Sequence, residues 1–325
     1  MAPALASLHA TLKLLSDPVR LRLCALLAGG ELAVQEIVAI TSLQQSRISN
    51  HLSLLKRAGL VRDRREGTWS FHTLAEPADT GPLTPSMFAA TVQLYQQSEG
   101  GVRDQQAHRA VLDQRRQKSR EAHDNLAEQW NVVGQDFALG TVRAEILAQA
   151  WPSGPAVVDL GCGTGFLANW LAERGASVIG VDHSQRMLQK ARQRSKRVRV
   201  AFRQGELEAL PLADAEVDAA FGNLVWHHVA DLEAAAREVL RVLRPGGCIV
   251  ISDLLPHESE WMRERMGDLR LGLKPDQVIA VLARAGFHEL RREALADRYR
   301  VASPAGEMAE FPMFVVRGCK PARAG

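Results

Sequence analysis

The feature that most narrows the fold of this chain is Ala156-Val-Val-Asp159-Leu-Gly161-Cys162-Gly163-Thr-Gly165. A short strand of buried composition runs straight into three glycines, and Phe166 to Glu173 continues with helical patterning. Strand, glycine loop and helix in that order make a cradle, because residues without a Cβ let the backbone close on a ligand. Ser177-Val-Ile-Gly-Val181-Asp182 then reads as a second strand ending in an acid, 21 positions after Gly161, where a carboxylate can accept both hydroxyls of a ribose. An isolated acid at a strand end is usually only a cap; paired with the glycine loop it points to a nucleoside. A dinucleotide fingerprint would need glycine at position 166, which is Phe166.

At 325 residues the chain is long enough for two domains, and 46% hydrophobic with 24% charged residues excludes disordered and collagen-like classes. The net charge of +3 is too balanced for a polybasic protein, so affinity for nucleic acid must reside in a local patch. Cys24, Cys162, Cys248 and Cys319 lie far apart without paired spacing. Neither a disulfide nor a metal site is predicted, and a reducing, cytoplasmic location is expected. No stretch approaches the ~18 apolar residues of a membrane span.

Glu76 to Pro85 places three prolines within a short interval and reads as a hinge. Residues 1–76 therefore form a first domain and 77–135 a hinge and helical connector or lid. Residues 136–325 form an α/β domain of alternating apolar runs and amphipathic segments around a mainly parallel sheet. The run Arg115-Arg116-Gln-Lys118-Ser-Arg120 in the connector reads first as a solvated helix face.

In the first domain, Asp17-Pro18 supplies an N-cap and a pre-set first helical residue, and Gly29-Gly30 stops that helix. A second short helix spans about 34–40. Ser42-Leu-Gln-Gln45 has capping-box spacing for a third, which closes at Gly59. On the third helix Ile48, Leu52 and Leu55 must face the core, leaving Gln45, Ser46, Arg47, Ser49, Asn50 and His51 near its N-terminus to reach base edges in a major groove. Two strands follow around Glu66-Gly67, with Arg64 and Arg65 placed as phosphate contacts. Up to Ala75 there are nine basic against five acidic side chains, a surplus of four that accounts for the excess of the whole chain.

Asp17-Pro-Val-Arg20-Leu-Arg22, the stretch Gln45 to Leu52 and Ala58-Gly59-Leu60-Val61 resemble the ArsR/SmtB family of dimeric winged-helix repressors. The resemblance covers about a quarter of the chain and implies a homodimer on double-stranded operator DNA. Metal-sensing members carry a Cys-x-Cys pair where this chain has Ala33-Val34-Gln35, so no soft-metal chelate is expected there. A winged helix retained only for dimerisation is the plainer alternative.

From Pro155 to Lys320 the chain is similar to the class I S-adenosylmethionine-dependent methyltransferases, especially their ubiquinone/menaquinone-type small-molecule branch. That likeness implies a Rossmann-like seven-stranded sheet, S-adenosylmethionine as cofactor and S-adenosylhomocysteine as product. Gly161, Cys162, Gly163 and Gly165 would close on the methionyl moiety while Asp159 offers charge near its ammonium group. Asp182 with His183 would serve the ribose, Gly205, Glu206 and Leu207 the adenine, and Asn223 the mouth of the fourth strand. His228 and His227 at that mouth are the candidate general bases, with His257 further out. No Asn-Pro-Pro-aromatic signature follows the fourth strand, which disfavours methylation of DNA adenine, and the cysteines do not form the thiol set of an arsenite methyltransferase. Three readings remain open: a regulator whose operator binding responds to cofactor or to a small-molecule methyl acceptor, a non-catalytic sensor of the cofactor pair, and a metabolic enzyme whose winged helix only dimerises.

Overall fold

The computed structural model describes residues 3–66, 69–75, 85–127, 156–196 and 198–322. The hinge expected at 76–85 lies almost wholly outside the described residues, as does the turn at Gly67. Residues 1–114 and 115–325 form separate compact units, so the division falls inside the helix Glu99–Leu126.

In the first unit, α1 (Pro3–Leu15) precedes α2 (Pro18–Leu27), whose cap forms as the sequence requires. Asp17 Oδ1 accepts from the amides of Val19 at 2.9 Å and Arg20 at 3.1 Å, satisfying donors the helix leaves unpaired. A two-residue strand β1 (Leu32–Ala33), not foreseen from sequence, leads into α3 (Val34–Thr41), where Glu36 Oε2 accepts from the Ala33 amide at 2.7 Å. The capping box expected at Ser42 does not form. Ser42 instead takes a left-handed conformation, φ 57°, at the C-terminus of α3, and α4 (Gln45–Arg57) starts after Gln44 without a side-chain cap. Ile48, Leu52 and Leu55 of α4 are buried against α2 and α3 residues such as Leu23 and Ile37. β2 (Val61–Glu66) and β3 (Trp69–Leu74) make the antiparallel hairpin, and β1 pairs with the far side of β3. α5 (Pro85–Gln96) and α6 (Glu99–Leu126) follow. Asp104 on α6 receives the fork of Arg22, at 2.8 and 2.7 Å, and the Tyr95 hydroxyl at 2.8 Å.

The second unit is a seven-stranded sheet of β4 (Ala156–Leu160), β5 (Ser177–Asp182), β6 (Val200–Gln204), β7 (Val217–Asn223), β8 (Leu243–Leu254), β9 (His288–Ala302) and β10 (Met308–Cys319). Its order is β6-β5-β4-β7-β8-β10-β9, parallel except that β10 runs against both neighbours. Chain succession reverses direction at β4, whose neighbours are β5 and β7, and such a reversal opens a crevice at the strands' carboxyl ends. Both faces of the sheet are covered, as continuous apolar strands demand. Val157 packs with α7 (Phe166–Glu173), while Val158 and Leu160 pack on the side of α9 (Leu232–Val242) and α11 (Pro275–Ala285). Between these come α8 (Gln185–Arg194) and α10 (Trp261–Met266). The expectation of no disulfide is overturned: Cys248 and Cys319 are joined. They oppose each other on β8 and β10 with Cα atoms 4.1 Å apart, a proximity made by strand register and invisible across 71 residues of sequence. Among the described residues no helix is long and apolar enough to cross a membrane.

Ile48 is fully buried and Asn50 exposed on the same helix. Ile48→Ala is expected to cost ~2–4 kcal/mol of stability through lost transfer energy and a residual cavity, whereas Asn50→Ala should change it by less than about 0.5 kcal/mol. Thermal or urea unfolding of the two variants measures the difference.

Candidate functional site

The loop after β4 owes its course to its glycines. A Cβ on Gly161, φ 64°, would come within 2.2 Å of Val225 Cγ2, so no other residue fits without moving the turn after β7. Asp159, at the carboxyl end of β4, is 2% exposed, and its Oδ2 has no hydrogen-bond partner. Burial, with the nearby Asp182 carboxylate adding to it, pushes the Asp159 carboxyl up to about 8. Asp182, at the end of β5, accepts from the Gly163 amide through Oδ2 at 2.9 Å and from the Ser184 amide through Oδ1 at 2.8 Å. Burial also raises its pKa. Two buried carboxylates beside the glycine loop are a site for a ligand that brings positive charge and hydroxyl donors.

One cavity gathers most of the residues singled out from sequence. Asp159, Gly161, Cys162, Gly163, Asp182, His183, Glu206, Leu207 and Asn223 line it, together with His227 and His228. Gly165 and Gly205 do not. Their roles are in packing: a Cβ on Gly165 would meet Ala191 Cβ at 3.1 Å, and one on Gly205 would meet Pro211 Cδ at 2.5 Å. Glu206 is already engaged by His183 Nδ1, 3.4 Å away, and by the Arg120 guanidinium. Burial opposes its charge, yet these two cationic partners outweigh that and hold its carboxyl below the usual range. Arg116 reaches Glu208 at 3.4 Å, so this run of arginines is more than a solvated face.

The wall opposite the glycine loop was only partly foreseen. His227 and His228 lie in a 3-10 turn after β7, with Asp268 beside them and His123 edge-on to the His228 ring at a centroid distance of 4.5 Å. His227 Nδ1 donates to Asp253 Oδ1 at 2.6 Å. Burial disfavours its charge, but Asp253 and Asp268 together raise its pKa to about 9, which makes it a poor base near neutrality. His228 Nδ1 donates to the Gly267 carbonyl at 3.2 Å, leaving Nε2 as the free lone pair. Burial and the neighbouring imidazoles hold it well below its ordinary value. Leu254, Met262 and Met266 supply an apolar side to the same cavity. His257 does not line it; its ring lies 4.5 Å from Phe311. Asp268, Met262 and Met266 carried no sequence signal, because they come from a segment whose pattern gives only a short helix and a loop.

On α4, Gln45, Ser46, Arg47, Ser49 and Asn50 are all exposed on the side away from Ile48. His51 departs from this set: its Nδ1 lies buried, 4.0 Å from Asp17 Oδ1, because the capping carboxylate of α2 sits against that side of the helix. Arg64 departs too. Its guanidinium forks onto Glu31 at 3.1 and 3.0 Å and lies over the Phe71 ring, since the register of β2 on β3 carries it inward. Arg65, the next residue, is exposed.

Residues 17–63 match the family model of bacterial regulatory proteins of the arsR family, and residues 158–251 match that of a methyltransferase domain. The chain joins an ArsR-family helix-turn-helix domain to a methyltransferase domain. The malonyl-[acyl-carrier protein] O-methyltransferase of Serratia marcescens is 42% identical over 101 residues, 31% of this chain and 39% of that protein. The arsenite methyltransferase of Halobacterium salinarum is 37% identical over 166 residues, 47% of this chain and 42% of that one. The chain thus spans about two fifths of the length of these relatives. A chain of the complex between the Haloferax volcanii Trm112 methyltransferase activator and a methyltransferase shares the fold, with a TM-score of 0.53 and 21% identity over 63% of this chain and 99% of that one. S-adenosylmethionine is the cofactor of the methyltransferase domain, and the cradle fits it: Asp159 Oδ2 lacks a donor that an ammonium group would provide.

An ammonium group at Asp159 favours the carboxylate over the acid, so below about pH 8 cofactor binding should expel a proton. Affinity should then fall as pH drops from 8 to 6, by roughly up to tenfold per unit. Calorimetry in buffers of different protonation enthalpy reads the proton directly, and Asp159→Asn should weaken binding and flatten its pH dependence.

Proposed function

We propose that this protein is a DNA-binding regulator whose second domain methylates a small molecule, with cofactor or acceptor occupancy altering operator affinity. The observation that carries the methyl-transfer reading is that one cavity holds both halves of the chemistry: the Asp159 cradle for the cofactor and the His228 imidazole, whose Nε2 accepts no hydrogen bond, together with apolar side chains. A methyl sulfonium is already a strong electrophile, so the domain has mainly to align an in-line displacement and keep water out. For an acceptor that carries a proton, His228 Nε2 accepts it, while His227, braced by Asp253, keeps the turn in place. Leu254, Met262 and Met266 favour an acceptor with an apolar body. An arsenite-type acceptor is disfavoured. Cys24 and Cys162 are buried thiols and Cys248 is joined to Cys319, so no set of thiols faces the cavity.

The regulator reading is supported by the exposed polar face of α4 and by Arg65 on the hairpin. A homodimer through the first unit is supported by large apolar side chains left exposed on α1, α5 and α6, among them Leu12, Met87, Leu94 and Val102. Such a regulator works in the cytoplasm. α6 is the continuous element for coupling, since it carries Asp104, paired with Arg22 in the first unit, and His123, which lines the cavity of the second. A ligand shifts the operator equilibrium only by its differential affinity for the two states, and the effect is reciprocal.

Gel-shift titrations with upstream DNA, with and without S-adenosylmethionine, and calorimetry of the cofactor on free and operator-bound protein should give the same coupling factor. Equal operator affinity in both conditions would leave a plain enzyme, and binding without turnover would leave a sensor. Arg65→Ala should weaken binding evenly across sequences and reduce the salt slope by about 1, whereas Asn50→Ala should cost about 1–3 kcal/mol at one base position. Arg64→Ala is expected to lower stability as well, because it removes the two-pronged ion pair with Glu31.

A further inference from the structure

His227, His228 and Asp268 converge in a way that general-base chemistry does not require. Each offers one ligand atom, and these lie within 4.8 Å of one another; both imidazole Nε2 atoms are 3.7 Å from Asp268 Oδ1. Each imidazole has its other nitrogen turned to an oxygen acceptor, His227 Nδ1 to Asp253 and His228 Nδ1 to the Gly267 carbonyl. Both Nε2 atoms are thereby turned toward the same carboxylate. Asp268 is 3% exposed, and neither of its oxygens has a hydrogen-bond partner. A buried carboxylate without a hydrogen-bond partner, faced by two imidazole nitrogens, is a set of three ligand atoms that one cation can bridge.

We propose that His227, His228 and Asp268 form a binding site for a divalent transition cation in the wall of the methyltransferase cavity. Two imidazoles and one carboxylate suit zinc, iron or cobalt better than magnesium or calcium, which prefer oxygen ligands. Metal–ligand bonds of about 2.0–2.2 Å separate neighbouring ligand atoms by roughly 3.4 Å, so the two 3.7 Å separations from Asp268 need a small contraction, and the three atoms, which lie within 4.8 Å of one another, must draw together around the ion. The partners behind the ligands are of the kind metal sites use: a carboxylate and a backbone carbonyl fix the ring orientations. Asp253 is itself held, accepting the amides of His227 at 3.2 Å and Leu254 at 2.7 Å. The remaining coordination positions belong to the cavity, where an oxygen acceptor can enter. Its hydroxyl proton would then leave to bulk water, with His228 acting as ligand instead of base.

The site stands on side-chain geometry and its test needs no methyl transfer: it takes the place of the general-base role of His228, while methyl transfer and operator binding can hold or fail without it. Full-length protein stripped with chelator is titrated with Zn2+ by calorimetry and with Co2+ by visible spectroscopy, with Mg2+ as a comparison. One saturable equivalent of Zn2+, d–d bands from Co2+ and no matching affinity for Mg2+ are expected. Asp268→Asn, which keeps the shape, and His228→Gln should each weaken Zn2+ binding more than about a hundredfold, and Asp253→Asn, acting through His227, by about 10–100-fold. Circular dichroism checks that each variant is folded, and Asp268→Asn decides the matter if His228→Gln is not. No saturable binding, or the same affinity in wild type and Asp268→Asn, overturns the site.

Discussion

The second unit depends on the reversal of strand succession at β4. Because the chain goes to β5 on one side and reaches β7 on the other, no connection crosses the carboxyl end of β4, and a crevice opens there. Asp159 and Asp182 end adjacent parallel strands, so the same geometry that opens the crevice buries two carboxylates in its floor. Their cost in the ligand-free protein is the counterpart of affinity for a cationic nucleoside. Gly161 keeps the crevice open because the Val225 side chain leaves no space for a Cβ.

The opposite wall is built by a loop. Arg270 donates its amide to the His227 carbonyl at 3.1 Å and its guanidinium to the carbonyls of Val229 and Ala230, fastening the segment after α10 onto the histidine turn. That attachment brings Asp268 up to the two imidazoles. Gly267, φ 76°, allows close approach to α6, where an added Cβ would lie 2.5 Å from Ala122 Cβ. Ala122 and His123 are the α6 residues at this contact. The small residue admits the loop, and the imidazole packs against His228.

In the first unit the burial of one face of α4 dictates the exposure of the other. Ile48, Leu52 and Leu55 fix its rotation, and Gln45, Ser46, Arg47, Ser49 and Asn50 face outward as a consequence. The hairpin behaves differently. There the register decides which arginine is available, and Arg64 lies on Glu31 while Arg65 points to solvent.

Local rules were enough for the sequence to determine the elements and the cradle: the Asp17 cap, the α4 periodicity, the glycine loop and the acids ending β4 and β5 all follow from neighbours a few positions apart. Only the tertiary structure decided what lies across long separations. It joined Cys248 to Cys319, set Arg64 on Glu31, assigned Gly165 and Gly205 to packing, and carried Asp268 and Asp253 to His227 and His228. The physical reason is common to all four. Each depends on strand register or on a helix or loop packed against a distant segment, and none of these leaves a periodic trace in the residues that take part.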